Sequence, residues 1–541
     1  MSDTLVEVVR ERAAAQGNEV WLRYLVTGEV TGEVAELTFG DLERRAREIA
    51  AELQQRAAPG ERALLLYPSG LEFVTALVGC LFAGIVPVPA YPPDLAKPER
   101  AIAKLYSIAG DCTAKLALTS SEFLPMLERL VPPGTQCVAT DRCTGGGWEP
   151  PAIDGDTVAL LQYTSGSTGV PKGVVLRHRH LLANERSIEA GMGPVRTVVG
   201  WLPIFHDMGL IGNVLQTLCA GSPLVLMSPV AFLKRPARWL EAISHYRATT
   251  SGGPNFAYDL CARRVTDEER SRLELSSWEV AYCGAEPIRE ATYRRFFDRF
   301  AARGFSKTAF YPCYGLAEAT LFVTGNRRGT EPRSIAFRSD ALDRGEVVVG
   351  DGRMLTSCGV PSPSEELRIV DPDRRTLTTG LGEIWVRGPG IASGYWGRQS
   401  DDTFRARLAD GDGPFLRTGD LGFVHGGELF IAGRRKDMII LAGRNLFPQD
   451  IEAAIEAAVP EVRKGCCAAF SIDQDGDEKL CIMTEHDGVA DATVRAIKLA
   501  VAEHCQAAVF DVVLVGKGVV PKTSSGKLER YACRRLYRSK P

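Results

Sequence analysis

The sequence Tyr163-Thr-Ser-Gly-Ser-Thr-Gly-Val-Pro-Lys-Gly173 is flanked by two apolar runs, at residues 158–161 and 174–176. It holds three glycines, four Ser or Thr hydroxyls and one lysine within eleven residues. Backbone N–H groups of such a loop can face an anion, and the hydroxyls and the lysine add further donors. The composition therefore predicts a loop that binds a polyphosphate.

Two other interpretations of this loop fit less well. A Walker A loop reads G-x-x-x-x-G-K-[ST], but counting from Gly166 puts its second glycine on Pro171 and its Ser or Thr on Gly173. A mobile Ser/Gly linker is the other alternative, yet linkers rarely lie between two buried strands or contain Pro-Lys-Gly. We therefore expect a phosphate-binding loop that joins two strands.

The composition indicates a multidomain globular protein. At 541 residues the chain exceeds one ordinary hydrophobic core, which predicts at least two domains. The formal net charge of -3 provides no general attraction for polyanions, so no nucleic-acid partner is expected. The 14 cysteines lack the paired C-x-x-C spacing of zinc sites. Reduced, mostly buried thiols and a cytoplasmic location are the expectation.

Two segments bear on targeting and membranes. Residues 1–17 carry charges of both signs and no apolar core, so a secretory signal is not expected. Residues 73–91 contain no charged side chain, and 19 residues are nominally enough to cross a bilayer. Glycine and proline interrupt this run at Gly79, Gly84, Pro87 and Pro89. We expect instead a buried helix ending near residues 83–84, then a strand at residues 85–89, and no membrane span.

Short apolar runs alternate with helix-like stretches, such as residues 41–54, along most of the chain. This alternation is typical of an α/β fold whose parallel strands are buried on both faces. Expected strands of this kind are residues 63–66, 158–161, 198–202 and 224–227. Residues 431–436, with the sequence IAGRRK, contain a glycine and three cations and end the strand-like sequence ELFI. We therefore expect a large domain at residues 1–433 and a small α+β domain at residues 434–541, with helices at residues 449–458 and 490–504.

Residues 164–173 resemble the phosphate loop of the adenylate-forming superfamily, which contains acyl-CoA synthetases, luciferases and nonribosomal adenylation domains. Further motifs follow in that family's order: WLPIFHDMG at residues 201–209, GAEP at 284–287, YGLAE at 314–318, GEIW at 382–385, TGD at 418–420, GRRKD at 433–437 and PKTSSGK at 521–527. The resemblance implies the adenylate-forming enzyme fold. Its large N-terminal domain combines parallel-sheet α/β subdomains with a β-barrel-like subdomain, and a small mobile α+β domain follows.

The resemblance implies that a carboxylate attacks the α-phosphorus of ATP while pyrophosphate leaves. Because two anions must meet, such a site needs cations and positioning more than acid–base groups. Lys527 resembles the catalytic lysine that bridges the carboxylate and the α-phosphate, although it also begins a basic tail. Glu318 resembles the carboxylate that binds Mg²⁺, a metal that prefers one or two carboxylates plus phosphate oxygens. His206 lies where the family's acyl tunnel meets the reaction centre, and we expect it to contact the substrate carboxylate.

The resemblance also implies which residues bind the nucleotide. Asp420 resembles the acceptor of both ribose hydroxyls, a role suited to an ionised carboxylate. Arg434 resembles the arginine that holds the ribose, and Lys436 occupies the hinge about which the small domain rotates. The other implied contacts with ATP come from the phosphate loop, the adenine slot and the catalytic lysine: Thr164, Ser165, Gly166, Ser167, Thr168, Gly169, Lys172, Gly284, Ala285, Glu286, Pro287, Tyr314, Gly315, Leu316, Ala317 and Lys527.

Several strings resemble fatty acyl-AMP ligases more than acyl-CoA synthetases: PVPAYPP at residues 87–93, SGGPNFAY at 251–258 and RNLFPQD at 444–450. Residues 333–355 resemble that subfamily's extra segment, which is associated with failure to use free CoA. An ordinary surface loop is the alternative, since loop length costs little. Apolar Ile440 stands where many thioester-forming relatives have a lysine. The implied substrates are a fatty acid and the phosphopantetheine thiol of an acyl carrier protein.

Two other functions stay open at this point, an acyl-CoA synthetase and a catalytically degenerate nucleotide-binding protein. The degenerate nucleotide-binding protein is disfavoured because a protein that has lost catalysis should have lost some of the motif residues. No gap occurs at Lys172, Glu318, Asp420, Arg434 or Lys527. The length of the acyl chain is open as well, because candidate tunnel residues such as Leu210, Ile211 and Phe256 could equally belong to the core.

Overall fold

The computed structural model describes residues 2–91, 98–164, 171–441, 444–474, 477–523 and 526–539. The first part of the chain alternates helices and strands, as the apolar pattern predicts. Its elements are α1 (Leu5–Gln16), β1 (Val20–Leu25), β2 (Val34–Thr38), α2 (Phe39–Gln54), β3 (Arg62–Leu65), α3 (Leu71–Ala83), β4 (Val86–Pro89), α4 (Pro98–Asp111), β5 (Leu116–Thr119), α5 (Leu124–Leu127) and β6 (Gln136–Ala139).

The middle of the chain continues the same alternation and carries four of the eight predicted motifs. A π-helical turn, Leu210–Leu215, lies between two of its short helices. Its elements are β7 (Val158–Thr164), β8 (Lys172–Arg177), α6 (His178–Met192), β9 (Val198–Gly200), α7 (Asp207–Gly209), α8 (Gln216–Ala220), β10 (Leu224–Met227), α9 (Pro229–Lys234), α10 (Ala237–Tyr246), β11 (Thr250–Gly253), α11 (Asn255–Arg264), α12 (Asp267–Ser271), β12 (Val280–Cys283), α13 (Glu290–Phe300), β13 (Phe310–Gly315) and β14 (Phe322–Gly325).

The last part of the chain is richer in strands. It runs through β15 (Ser334–Phe337), α14 (Ser339–Asp343), β16 (Arg353–Thr356), β17 (Val360–Pro361), β18 (Glu366–Asp371), β19 (Thr376–Leu377), β20 (Gly382–Arg387), α15 (Asp401–Phe404), β21 (Leu416–His425) and β22 (Glu428–Arg434). The remaining elements are β23 (Ile439–Leu441), β24 (Arg444–Leu446), α16 (Pro448–Ala458), β25 (Val462–Gln474), β26 (Asp477–His486), α17 (Ala490–Cys505), β27 (Val509–Val515) and α18 (Arg530–Arg538).

Helices α2 and α3 show how the sequence sets the boundaries of elements. The Thr38 hydroxyl caps α2 by accepting a hydrogen bond from the backbone N–H of Asp41 at 3.0 Å. The two helices approach closely, because a Cβ on Gly79 would lie 2.5 Å from the Ile49 side chain. Gly84 ends α3 in the left-handed conformation, with φ +72°. The predicted helix and strand on either side of this glycine are therefore confirmed.

Two sheets with mostly parallel strands lie in the region predicted as the large domain. A nine-stranded sheet has the order β17-β14-β13-β12-β11-β9-β10-β1-β2, and a four-stranded sheet has the order β4-β3-β5-β6. The pairs from β1 through β10, β9, β11 and β12 to β13 are parallel, as are all pairs of the smaller sheet. A five-stranded antiparallel sheet has the order β19-β18-β20-β21-β22, and this open sheet differs from the barrel-like part that the resemblance implied. The predicted adenylate-forming α/β fold is thus confirmed.

The strand predicted at residues 158–161 does not belong to a parallel sheet. Strand β7 pairs with β8 in an antiparallel two-stranded sheet. The prediction of a parallel strand was wrong because residues 165–171 are enough to close a hairpin. A parallel pairing would instead need a crossover of about a dozen residues or more.

The small C-terminal region has a core of its own. Strand β26 pairs with β25 antiparallel and with β27 parallel, and α16, α17 and α18 accompany this sheet. Two hydrophobic clusters contain only residues from 439 onward. These separate cores support the proposed division at residues 433–434, which falls at the end of β22.

Across the part of the chain that the structure describes, no helix combines the length and the apolar character needed to cross a membrane.

Candidate active site

Thr164 and Lys172 face each other at the loop end of the β7–β8 hairpin, where they are register partners. A Cβ on Gly173 would lie 2.9 Å from the Tyr163 ring, so glycine lets the two strands approach here. The hairpin therefore holds Lys172 at the end of the predicted phosphate loop. The loop residues Ser165, Gly166, Ser167, Thr168 and Gly169 lie outside the described residues.

Glu318 and Lys172 meet at Tyr395, a residue to which no sequence motif pointed. The Tyr395 hydroxyl donates a hydrogen bond to Oε1 of Glu318 at 2.7 Å. Nζ of Lys172 lies 4.7 Å from the centre of the Tyr395 ring. Burial lowers the pKa of Lys172, the charges of Lys436 and Arg398 lower it further, and Glu318 raises it. An anion bound beside Lys172 would relieve this repulsion among cations.

The predicted adenine slot lies at the ends of two neighbouring parallel strands. Gly284 follows β12 and Tyr314 lies in β13. A Cβ on Gly284 would lie 3.0 Å from the Cys313 carbonyl oxygen, so glycine keeps the slot open. Oε1 of Glu286 accepts a hydrogen bond from the backbone N–H of Phe256 at 2.6 Å, so this carboxylate faces the start of α11. Residues 284–287 can therefore offer the adenine ring their backbone rather than a charged side chain.

Residues 315–317 connect β13 to the 3₁₀ turn Ala317–Ala319, which carries Glu318. A Cβ on Gly315 would lie 1.7 Å from the Leu321 carbonyl oxygen, so only glycine fits there. The side chains of Leu316 and Ala317 are buried in the core. These three residues thus position Glu318, and their contact with ATP stays a prediction.

Asp420 joins the predicted adenine and ribose residues. Its Oδ2 accepts a hydrogen bond from the Tyr314 hydroxyl at 2.7 Å, and its Oδ1 accepts one from Nε of Arg434 at 2.8 Å. Asp420 and Arg434 are also register partners of β21 and β22. The Asp420 side chain is buried, whereas 55% of the Arg434 side chain is exposed. A carboxylate has about four acceptor sites, so two hydrogen bonds leave capacity for ribose hydroxyls.

Lys527 lies in a short loop of the C-terminal region that approaches α11. The loop is closed by hydrogen bonds from the Lys527 N–H to the Thr523 hydroxyl at 3.0 Å and from the Thr523 N–H to the Lys527 carbonyl at 2.8 Å. A Cβ on Gly526 would lie 3.8 Å from the Phe256 ring. Burial lowers the pKa of the Lys527 ammonium, while the charge of Asp207 raises it. The ammonium therefore lies close enough to the HDMG motif to interact with its carboxylate.

Asp207 of the HDMG motif is a carboxylate whose charge acts on Lys527. Although burial raises the pKa of Asp207, its hydrogen bond with His206 and the charges of His206 and Lys527 bring it below the usual range. Nδ1 of His206 lies 3.4 Å from Oδ1 of Asp207, and 31% of the His206 side chain is exposed. Asp207 lies in the HDMG motif beside His206, but the sequence analysis gave it no role. Contact of His206 with the substrate carboxylate stays a prediction.

The charged groups of this site suit ATP and Mg²⁺. Glu318 supplies one carboxylate, which matches a metal whose other ligands are phosphate oxygens and water. Lys172 and Lys527 supply cations for the phosphates, and burial lowers the pKa of both. Because a nearby anion favours the charged form of a lysine, bound phosphate would stabilise both ammonium groups.

Comparison with known proteins agrees with this arrangement. The family model described as AMP-binding enzyme matches residues 9–396. The chain belongs to the AMP-binding enzyme family. The medium-chain-fatty-acid–[acyl-carrier-protein] ligase JamA of Moorena producens is 42% identical to this AMP-binding enzyme over 98% of this chain and 94% of its own length. The putative fatty-acid–CoA ligase fadD25 of Mycobacterium tuberculosis is 36% identical over 99% and 98% of the two chains.

A solved structure extends the comparison to bound ligands. The fatty acyl-adenylate ligase from L. pneumophila, in complex with acyl adenylate and pyrophosphate, has 37% sequence identity and a TM-score of 0.77. The alignment covers 99% of this AMP-binding enzyme and 96% of that chain. The resemblance to fatty acyl-AMP ligases that the sequence motifs indicated is therefore confirmed.

The segment at residues 333–355 of this AMP-binding enzyme forms two paired strands and contacts the C-terminal region, which we call the small domain. Strands β15 and β16 pair antiparallel, and α14 lies between them. Nη2 and Nε of Arg444 donate to Oδ2 of Asp343 at 2.7 and 3.2 Å. Nε of Arg353 lies 3.0 Å from Oδ1 of Asp450, and its guanidinium lies 4.6 Å from the Phe447 ring centre. Two ion pairs thus connect this segment, which we call the insertion, to the small domain.

Proposed function

We propose that the protein activates a fatty acid by joining it to AMP and then transfers the acyl group to the thiol of an acyl carrier protein. The observation that carries this proposal is the place of Lys527. Its loop contacts Phe256 of α11. Burial and the charge of Arg434 lower the pKa of its ammonium, whereas the charges of Asp207 of the HDMG motif and of Asp420 raise it. A lysine whose charge is coupled both to the predicted acyl site and to the predicted ribose site is suited to stabilise the two reacting anions.

The reaction that this geometry supports is a displacement at phosphorus. A carboxylate oxygen attacks the α-phosphorus of ATP, the bond from that phosphorus to the pyrophosphate oxygen breaks, and acyl-AMP and pyrophosphate form without proton transfer. Lys527 stabilises the negative charge shared by the carboxylate and the α-phosphate. Lys172 holds the leaving phosphates, and Asp420 with Arg434 holds the ribose in line. Mg²⁺ bound at Glu318 would neutralise phosphate oxygens.

An apolar wall beside the Lys527 loop favours a fatty acid over a polar acid. The rings of Trp201 and Phe256 lie 6.1 Å apart in an edge-on arrangement, and Phe256 also approaches Gly526 of the loop. Leu210 and Ile211 are fully buried and belong to the core. Of the candidate tunnel residues, Phe256 therefore has the best position to contact an acyl chain.

A carrier-protein thiol is the acceptor that the insertion favours. The rotation implied for the small domain would have to break the Arg444–Asp343 and Arg353–Asp450 pairs. The name of the JamA relative, an acyl-carrier-protein ligase, supports the same acceptor. Free CoA stays the second candidate, because another relative of similar length is named as a fatty-acid–CoA ligase.

Pyrophosphate exchange with a panel of fatty acids, followed by acceptor trials, tests the proposal. Acids from about C4 to C18 should support ATP–pyrophosphate exchange with a length optimum, since each buried methylene contributes up to about 0.8 kcal/mol. With the best acid, a holo carrier protein should yield an acyl thioester and free CoA should not. Exchange that no acid supports would reject adenylation, and efficient acyl-CoA formation would move the assignment to an acyl-CoA synthetase.

A further inference from the structure

Tyr395 lies in a segment that extends the β7–β8 sheet next to Lys172. The backbone N–H groups of Ser393 and Trp396 donate to the carbonyls of Val175 and Gly173 at 3.1 and 2.8 Å. These contacts run along β8, so the segment takes the place of a third strand. The backbone of residues 390–396, which we call the 390–396 segment, is therefore fixed relative to the phosphate hairpin.

The same segment is also fixed to the turn that carries Glu318. The Ala392 N–H donates to the Glu318 carbonyl at 3.0 Å, and the Thr320 hydroxyl donates to the Gly390 carbonyl at 2.6 Å. Thr320 is fully buried and has φ +68°, a conformation that a non-glycine residue adopts only where its surroundings hold it. The 390–396 segment thus joins the two elements that carry Lys172 and Glu318.

The Tyr395 side chain contacts both the Glu318 carboxylate and the Lys172 ammonium. Its hydroxyl engages Oε1 of Glu318 at 2.7 Å, and among the described residues Oε2 accepts no hydrogen bond. Its ring lies under the Lys172 ammonium, 4.7 Å from Nζ to the ring centre. One carboxylate oxygen is thereby restrained while the other is left for a metal. Metal-binding carboxylates are commonly oriented by such hydrogen bonds, and their loss costs about 10–100-fold in affinity or activity.

We propose that Tyr395 is a positioning residue that sets the spacing between the metal carboxylate Glu318 and the phosphate-binding lysine Lys172. Its hydroxyl fixes the rotamer of Glu318, and its ring supports the Lys172 ammonium through a cation–π contact. The inference rests on the proposed function, in which Glu318 binds Mg²⁺. It adds a residue from outside the predicted motifs to the machinery that holds the nucleotide.

Mn²⁺ affinity in the presence of α,β-methylene-ATP, measured by electron paramagnetic resonance, tests the proposal without turnover. Tyr395→Phe keeps the ring and loses the hydroxyl, so its Mn²⁺ Kd should rise about tenfold. In a Glu318→Gln background the same substitution should have no further effect. Tyr293→Phe is the matched control, because it removes a Tyr–Glu hydrogen bond at 3.4 Å to Glu331, outside the site. It should bind Mn²⁺ like the parent.

A second variant tests the ring and guards against a folding defect. Tyr395→Leu should also weaken metal-free binding of α,β-methylene-ATP by about threefold or more, because Lys172 loses the ring beneath it. Parent-like Mn²⁺ affinity in a Tyr395→Phe protein with a parent-like thermal midpoint would overturn the inference. The inference would also be overturned if Tyr395→Phe still weakened Mn²⁺ affinity about tenfold in the Glu318→Gln background. Parent-like Mn²⁺ affinity in Glu318→Gln alone would instead reject the metal assignment in the proposed function.

Discussion

Cutting the two ion pairs between the insertion and the small domain should let free CoA act as an acyl acceptor. The perturbation is Asp343→Asn together with Asp450→Asn, which keeps side-chain size and removes the charges that face Arg444 and Arg353. The superfamily resemblance implies that the small domain rotates before thiol attack. If the pairs hold the domain in its present position, their removal raises the population of the rotated state.

The size of the effect follows from the exposure of the pairs. Exposed fractions are 38% and 14% for Arg444 and Asp343, and 11% and 40% for Arg353 and Asp450. Each pair has one partner near solvent, so each stabilises the present position of the small domain by only about 1 kcal/mol. Two pairs then amount to about 2 kcal/mol, or roughly a 30-fold change in population. The gain in acyl-CoA should stay below that factor because Ile440 lacks the charge found in thioester-forming relatives.

The assay is acyl-CoA formation from preformed acyl-AMP, followed by mass spectrometry, beside hydrogen exchange at the 3₁₀ turn Arg435–Asp437. The double variant should form acyl-CoA about 10-fold faster than the parent. Its backbone amides at the turn should exchange hydrogen roughly 30-fold faster, which is the change in population expected from the two pairs. Asp340→Asn is the matched control, because Asp340 pairs with Arg338 and Arg344 inside the insertion. Unchanged exchange and unchanged acyl-CoA formation in the double variant would refute the reasoning.

Three further substitutions test single groups of the site and its surroundings. Lys527→Ala should slow single-turnover acyl-AMP formation at least about 100-fold, while ATP affinity by calorimetry stays within about threefold. The reason is that the contact of the lysine with the reacting anions strengthens as charge develops in the transition state. A rate within about tenfold of the parent would end the catalytic assignment. Asp420→Ala should raise the ATP KM about tenfold or more, since ribose contacts hold ground and transition states alike, and a parent-like KM would show that Asp420 does not face the ribose. Burial raises the pKa of Glu365 from 4.5 to about 7, opposed by a backbone hydrogen bond with Gly390. A folded-state pKa above the unfolded value means that stability falls as the pH rises from about 4.5 to about 7. At pH 8 the free energy of unfolding of Glu365→Gln should therefore exceed that of the parent by at most about 3 kcal/mol, and in denaturant titrations this difference should close near pH 4.5. An equal difference at both pH values would contradict this.

The fold was predictable from the sequence because apolar runs and glycine breaks reflect local physics. The helix and strand around Gly84 follow from the chain itself, since glycine adopts φ +72° there at little cost. The direction of β7 was not predictable in this way. Its apolar run has the same pattern whether its neighbour runs parallel or antiparallel, and only the length of the loop to β8 distinguishes the two.

The candidate site was predictable only as far as its residues lie in motifs. Glu318, Asp420 and Lys527 are far apart in sequence, and their common place in the structure was expected from the order of the family's motifs. Tyr395 shows the limit of this approach. Its partners, Lys172 and Glu318, lie 223 and 77 residues away along the chain, so no local pattern identifies them.

Transfer of oxygen from the fatty acid to AMP tests adenylate formation most directly. The enzyme is given a fatty acid with ¹⁸O in both carboxylate positions, ATP, Mg²⁺ and a holo carrier protein, and the released nucleotide is analysed by mass spectrometry. Attack of the carboxylate on the α-phosphorus leaves one of its oxygens on that phosphorus when the thiol later displaces AMP. We therefore expect AMP that carries one ¹⁸O atom for each acyl group transferred. Unlabelled AMP, or label in inorganic phosphate beside ADP, would contradict the account.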